Sequence, residues 1–272
     1  MSTRLLRLGM LSLATLAVSA VPAAAQYGAR RPDSGGAVGE TYHVEFSGGF
    51  WNPTPSILVS SEQFGIIGSQ IDGVSDLGFE KSKFTGFSVV LRPATKHKFR
   101  VQYTPIQYSA EAVFTRPITF NGIRYDIGIP VSSELKWHVW RLGYEWDFVR
   151  TDRGFAGLLL DLKMIDTEVT LESLVANEFV RVQAPIPGIG GIGRYYFVPN
   201  VAATFELSWL HVGEIDGHSA TYIDWDLYGT VNFTENVGAQ AGYRSMDVNY
   251  TIERDFGDLV LRGFYVNGVV RF

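Results

Sequence analysis

The sequence predicts an all-β fold: a transmembrane, antiparallel, up-and-down β-barrel of ten strands, with eight as the alternative count. Three observations carry this. Ten stretches between Tyr42 and Phe272 alternate apolar and polar side chains with a period of two. A strand turns successive side chains to opposite faces, and a barrel wall in a bilayer needs one face for lipid and one for the lumen. The connections between the stretches alternate long and short. The chain opens on an apolar stretch with two arginines and no acid, in the manner of an export signal.

Taken in order, residues 1–25 read as a secretory signal peptide. Arg4 and Arg7 form its basic part, Leu8 to Val21 its apolar core, and Ala23-Ala24-Ala25 a small-residue cleavage site. The apolar run is short for a membrane span. Residues 26–40, QYGARRPDSGGAVGE, are rich in glycine, proline and charge and read as a flexible periplasmic leader. The barrel occupies 41–272. Its alternating stretches are 42–51, 84–92, 97–108, 135–148, 155–170, 187–198, 201–210, 221–233, 237–250 and 259–272. The fourth is the clearest: Trp140, Leu142, Tyr144, Trp146 and Phe148 alternate with Val139, Arg141, Gly143, Glu145 and Asp147. The sixth is glycine-rich and weaker. Short connections fall at 93–96, 150–154, 199–200 and 234–236. Long ones fall at 52–83, 109–134, 171–186, 211–220 and 251–258. Short periplasmic turns and longer outer loops, with both chain ends in the periplasm, give this order. A soluble β-sandwich would not need the two loop lengths segregated. Phe99, Phe148, Phe197, Phe233 and Phe272 all fall at short-turn ends and predict one aromatic girdle.

The last stretch reads LVLRGFYVNGVVRF. Phe264, Val266, Gly268, Val270 and Phe272 form one face; Tyr265, Asn267, Val269 and Arg271 form the other. This strand resembles the carboxy-terminal strand of bacterial outer-membrane β-barrel proteins, a broad class of OmpA-like, OmpX-like and porin-like barrels. Those end in Phe with apolar residues at alternate positions before it. The resemblance implies integral outer-membrane location and assembly by the barrel-assembly machinery, with Phe264, Val266, Val270 and Phe272 as the signal that is read. It also implies outer-membrane lipid and lipopolysaccharide as surroundings, and a monomer.

The face predicted to point inward carries Glu45, Glu145, Asp147, Asp161, Glu206, Asp224 and Asp226. It also carries Arg92, Lys98, Arg100, Arg141, Lys163, Arg194, Arg244 and Arg271. A barrel of this size has a narrow interior. Buried charge is costly unless paired, so these side chains are expected to form a cross-strand network that plugs most of the lumen. Arg141 and Glu145 lie four apart on one strand, so their partners are expected on the neighbouring strands.

Chemistry is sparse. The formal charge of −5 disfavours nucleic acid. The absence of cysteine excludes disulfides and thiolate metal sites. His43, His97, His138, His211 and His218 show no metal-ligand spacing, and no glycine-rich phosphate loop precedes a helix, so no cofactor is expected. In loop 211–220, Asp216-Gly217-His218 resembles the Asp-x-His pair of the omptins, ten-stranded outer-membrane proteases. An Asp beside a His can hold it as a base for activating water. That resemblance makes Asp216 and His218 candidate catalytic residues of a hydrolase at the outer mouth. The omptin pattern also needs a close aspartate pair from another loop. Here loop 109–134 offers Asp126, and loop 52–83 offers Asp72 and Asp76. In loop 109–134, Asn121-Gly122 between alternating runs predicts a tight hairpin. It would put Ile118, Phe120, Ile123, Tyr125 and Ile127 on one apolar face, packed on Ile57, Leu58, Val59, Phe64, Ile66 and Ile67 of loop 52–83.

Overall fold

The computed structural model describes residues 37–60, 68–173, 177–215, 217–252 and 255–272. Its strands are β1 (Val44–Ser60), β2 (Ile71–Asp72), β3 (Phe84–Ala94), β4 (His97–Val113), β5 (Ile118–Phe120), β6 (Ile123–Tyr125) and β7 (Pro130–Thr151). They continue with β8 (Gly154–Ser173), β9 (Asn177–Val198), β10 (Val201–Ile215), β11 (His218–Asn232), β12 (Val237–Ile252) and β13 (Asp255–Arg271). Ten of these close into a ring in the order β1, β3, β4, β7, β8, β9, β10, β11, β12, β13 and back to β1. Every neighbouring pair in the ring is antiparallel. Closure runs from Glu45↔Arg271 to Ser60↔Phe256. Closing the ring gives every strand of the ring two neighbours, so most backbone groups of the wall are paired without water.

Each strand has two chemistries along its length, and the face polarity inverts between them. In the lower part the outward side chains are apolar and the inward ones polar. On β8, Leu158, Leu160, Leu162 and Met164 point out, while Asp161 and Lys163 are buried inside. Higher on the same strand, Asp166, Glu168 and Glu172 point out, and Ile165, Val169 and Leu171 point in. β7 repeats this: Glu134 and Lys136 are outside, and Val131, Leu135, Trp137 and Val139 are inside. The inversion marks the level where the outer environment changes from lipid to water. An apolar face then has to turn inward to be buried.

This inversion explains where the strands outrun the alternating stretches. The loops expected at 171–186, 211–220 and 251–258 are mostly strand. β8 continues to Ser173 and β9 begins at Asn177; β10 continues to Ile215 and β11 begins at His218. Val180, Val182, Ala184 and Ile186 did alternate with Arg181 and Gln183, but with the faces exchanged, as is proper above a membrane. Among the described residues the long-and-short alternation therefore reduces to two outer excursions, 68–83 and 114–129.

Aromatic side chains band the outward face at both limits of the apolar zone. At the upper limit Tyr103 stacks on Trp140 at 4.5 Å, and Tyr243 meets Phe264 edge-on at 5.0 Å. Phe87, Trp209 and Trp225 continue this band. At the short-turn limit Phe99, Phe148, Phe197, Phe233 and Phe272 are all exposed, with Phe46 against Phe272 at 6.3 Å. Such belts sit at the two interfaces of a membrane barrel.

The hairpin at Asn121-Gly122 is present as β5 and β6, with Ile118↔Tyr125 and Phe120↔Ile123. Both turn residues have positive φ, 49° and 78°, as a type I′ turn requires. Ile118, Phe120 and Tyr125 are buried and Ile123 is half-buried, but Ile127 lies outside the face and is exposed. The hairpin is a sheet of its own, separate from the ring, and β4 pairs with β7 beside it up to Val113↔Pro130. It is tied to the first outer loop by the Ser69 N–H donating to the Thr119 carbonyl at 2.8 Å. Asn121 donates to Glu178 at 2.9 Å. Gly122→Ala is expected to cost about 1 kcal/mol, because a side chain at positive φ is strained. A urea titration of the folded protein measures it, and an unchanged midpoint counts against the turn geometry.

Candidate functional site

The interior of the ring is the site to be explained, and it is occupied at three levels. The lowest is made by residues 37–42, the described end of the stretch read as leader together with the two residues after it. They cross the short-turn end of the ring. The Val38 N–H donates to the Pro199 carbonyl at 2.6 Å, and the Gly39 N–H donates to Glu235 at 2.7 Å. Asn232 donates to the Val38 carbonyl at 2.6 Å. Glu40 then points into a nest of cations. Its carboxylate lies 3.0 Å from Arg194, 3.3 Å from Arg150 and 3.5 Å from Arg92, and it accepts from the Tyr196 hydroxyl at 2.7 Å. Arg92 also donates to the Glu40 carbonyl. Burial alone would raise the Glu40 pKa, but Arg194, Lys98, Arg92 and Arg150 outweigh it and hold the carboxyl at about 2. Tyr42 fills the remaining space between the guanidinium groups of Arg92 and Arg271.

The middle level is a chain of ion pairs on the inward faces of the strands. Lys98 pairs with Glu145 at 2.5 Å and with Asp147 at 3.1 Å. Arg100 bridges Glu145 and Glu206, the latter at 2.8 Å. Arg141 bridges Glu206 at 2.6 Å and Asp161 at 2.7 Å. Lys163 contacts Asp161 and the Ser208 hydroxyl, both at 2.6 Å. Arg244 forks onto Asp224 at 3.0 and 2.8 Å. Asp226 accepts from Tyr265 at 2.9 Å, and Arg271 pairs with Glu45 at 2.5 Å. The partners of Glu145 are on β4. Those of Arg141 are on β8 and on β10 across the lumen. Charge alternates along this chain, so each of these ions except Asp226, which is held by the Tyr265 hydroxyl, has a counter-ion beside it, as low-dielectric burial demands. A cavity of about 110 Å³ survives within this level, between β1 and β3 on one side and Arg100, Arg141, Glu206, Asp226 and Arg244 on the other. Ser47, Gly49, Gly86 and Ser88 there are too small to cross the lumen. It is polar and large enough for several waters.

The upper level is apolar. Ile57, Ile106, Tyr108, Leu135, Trp137 and Leu171 converge from the walls. Ile71, Leu77 and Phe79 of the first outer loop, and Ile118, Phe120 and Tyr125 of the hairpin, fill the space between them. The two outer excursions thus fold onto the inner wall and close the barrel from above. Tyr125 donates to the Leu171 carbonyl at 3.2 Å.

Of the candidate hydrolytic residues the structure describes His218 and the loop aspartates Asp72, Asp76 and Asp126. Asp216 lies outside the described residues. His218 opens β11 and is exposed. Asp72 is occupied by accepting the backbone N–H groups of Val74 and Ser75, both at 2.8 Å. Asp76 accepts from the Asp72 N–H at 2.9 Å and pairs with Arg116 at 2.6 Å. Asp126 is exposed and pairs with Arg124 at 3.0 Å. Among the described residues no three carboxylates or imidazoles converge as a metal site would need. Glu40 belongs to the lumen network although it lies before the first strand. A lone acid in a glycine-rich stretch gives no periodic signal.

No family model matches the sequence, and no curated protein sequence matches it. Among solved structures, the outer membrane protease OmpT from Escherichia coli superposes with a TM-score of 0.58 at 9% identity, covering 84% of this chain and 96% of that one. The attachment invasion locus protein Ail of Yersinia pestis gives 0.38 at 9% identity, over 84% and 97%. The Pseudomonas putida toluene transporter TodX gives 0.35 at 9% identity, over 85% and 90%. At these identities the likeness is one of fold, and it rests on the first of the three. The ring, its two-faced strands and its aromatic belts are those of a bacterial outer-membrane β-barrel.

Proposed function

We propose that the protein is an integral outer-membrane barrel with a closed lumen and a structural, surface-presenting role. The observation that supports this best is the filling of the lumen at three levels, each held by different chemistry. On this reading the signal peptide delivers the chain to the periplasm. The barrel-assembly machinery inserts it, and Phe264, Val266 and Val270 meet lipid. It stands as a monomer among lipid and lipopolysaccharide, and the strands that rise above the membrane carry its polar outer face. Any narrow path is confined to the cavity within the charged middle level, beneath the apolar one. The protein is expected to fractionate with the outer membrane and to migrate differently on gels before and after boiling. Planar-bilayer recordings of the purified protein should show little or no conductance. Large, stable channels would overturn the closed-lumen reading. Peptide cleavage that disappears in His218→Ala would replace it with the hydrolase reading.

A further inference from the structure

The wall of the ring is interrupted at the β9–β10 seam; a second break lies around the short β3, where β1 and β4 run on past Trp51↔Phe84 and Phe87↔Tyr103. β9 and β10 pair from Val201↔Val198 up to Trp209↔Ile189 and no further. Both strands go on. β9 stays paired to β8 as far as Glu172↔Asn177, and β10 to β11 as far as Ile215↔His218. The β7–β8 and β11–β12 ladders, by contrast, follow their strands to the outer ends.

The sequence supplies the cause. Pro185 and Pro187 sit in β9 just above the last paired residue, opposite Met164 and Leu162 of β8. Proline has no N–H and is tolerated in a strand only where that donor would face no partner. The two prolines are two apart, so both missing donors point the same way. The ladder to β8 is unbroken, so that way is toward β10. The pairing has to stop there.

The notch opens upward from Trp209↔Ile189, at the upper limit of the outward apolar zone. Its lipid side is framed by Leu162, Met164, Ile189 and Trp209, all exposed and outward. Its lumen side is apolar as well: Ile186 and Leu210 pack against the upper core that holds Ile165 and Tyr222. Asp161, Lys163 and Ser208 form a polar floor directly beneath. Apolar side chains thus flank the notch on its membrane side and on the upper interior, above the polar cluster that lies against Gly188.

We propose that this notch is a lateral groove that takes one alkyl chain, the acyl chain of an outer-leaflet lipid, between β9 and β10. This rests on the membrane-barrel reading. An alkyl chain suits the groove because it needs no hydrogen bonds and buries apolar surface on both sides. At Pro185 and Pro187 a protein edge-strand would find no N–H donors.

The test uses the full chain reconstituted in vesicles that carry a phospholipid with a diazirine near the end of one acyl chain. After photolysis, labelled residues are mapped by mass spectrometry. Labelling is expected on the inward Ile186 and Leu210 at a level comparable to the outward Met164. It should exceed that on the inward Met246 and Leu261, behind unbroken wall, by an order of magnitude. Leu210→Trp, which narrows the groove, should lower the Ile186 label several-fold and leave Met164 unchanged. Heat-modifiable migration shows that this variant has folded. Label confined to outward residues would overturn the groove while leaving the barrel intact. Absence of label on Met164 and Leu160 too would overturn the membrane reading itself. Cross-linked dimers through β9 or β10 would overturn the lipid occupant in favour of a second copy of the chain.

Discussion

Glu145→Ala is expected to lower the stability of the barrel by about 3–5 kcal/mol, as breaking a buried ion pair from one side does. Glu145 is fully buried on β7, between Lys98 and Arg100 of β4. Removing it leaves Lys98 with Asp147 alone and Arg100 with Glu206 alone. Two cations then share less charge in a space that water reaches poorly. The cost of their desolvation stays while part of the compensation goes. Thr119→Ala, on the separate outer hairpin, is the comparison. It is expected to change stability by no more than about 0.5 kcal/mol, as surface changes generally do. Urea titrations of the two variants in detergent micelles measure both. A double variant, Glu145→Gln with Lys98→Met, removes one charge of each sign and should recover part of the loss. Equal midpoints for Glu145→Ala and Thr119→Ala would mean that the middle level is not a stabilising network.

The lower half of the barrel was legible because its constraint is written on both faces. Lipid fixes the outward residues of β7 as Trp140, Leu142, Tyr144, Trp146 and Phe148. The confined lumen fixes the inward ones as Arg141, Glu145 and Asp147. Alternation with apolar side chains out is then readable residue by residue, and so are the strand count and the two faces of the last strand. The upper half was less legible because the same period carries the opposite polarity. Val180, Val182 and Ile186 look like a poor lipid face until they are seen as an inner one. Pairing partners left no trace at all. Nothing in the sequence says that Arg141 reaches across the lumen to Glu206. That contact depends on ring closure, which sets strands distant in sequence against each other. The hairpin was readable from Asn121-Gly122, because a type I′ turn constrains its own two residues. Its placement inside the mouth was not.

Glu40→Gln is expected to loosen the lower closure and to do so in a pH-dependent way. Glu40 is the anionic centre of a cradle formed by Arg92, Arg150 and Arg194. Its carboxyl is held at about 2, from an ordinary value of 4.5, by those cations and Lys98 against the opposing effect of burial. A folded-state pKa below the unfolded one means that the charged carboxylate favours the folded state. That contribution is complete above pH 4.5 and is lost as pH falls toward about 2. Its size at neutral pH is on the order of 3–4 kcal/mol, from the pKa difference at about 1.4 kcal/mol per unit. Glutamine keeps the shape and a carbonyl acceptor for Tyr196 but gives no charge to the three guanidinium groups. The wild type should therefore be the more stable protein at neutral pH. The gap between the two should close as pH is lowered from 4.5 toward 2. Urea midpoints taken across that range read it directly. A gap that stays constant with pH would assign the effect to packing, and no gap at all would mean that residues 37–42 do not brace the ring. The position of Glu40 makes the test specific. It precedes the first strand and is joined to the walls mainly by charge, so its removal strips neutralisation from β3, β7 and β9 together without altering any strand.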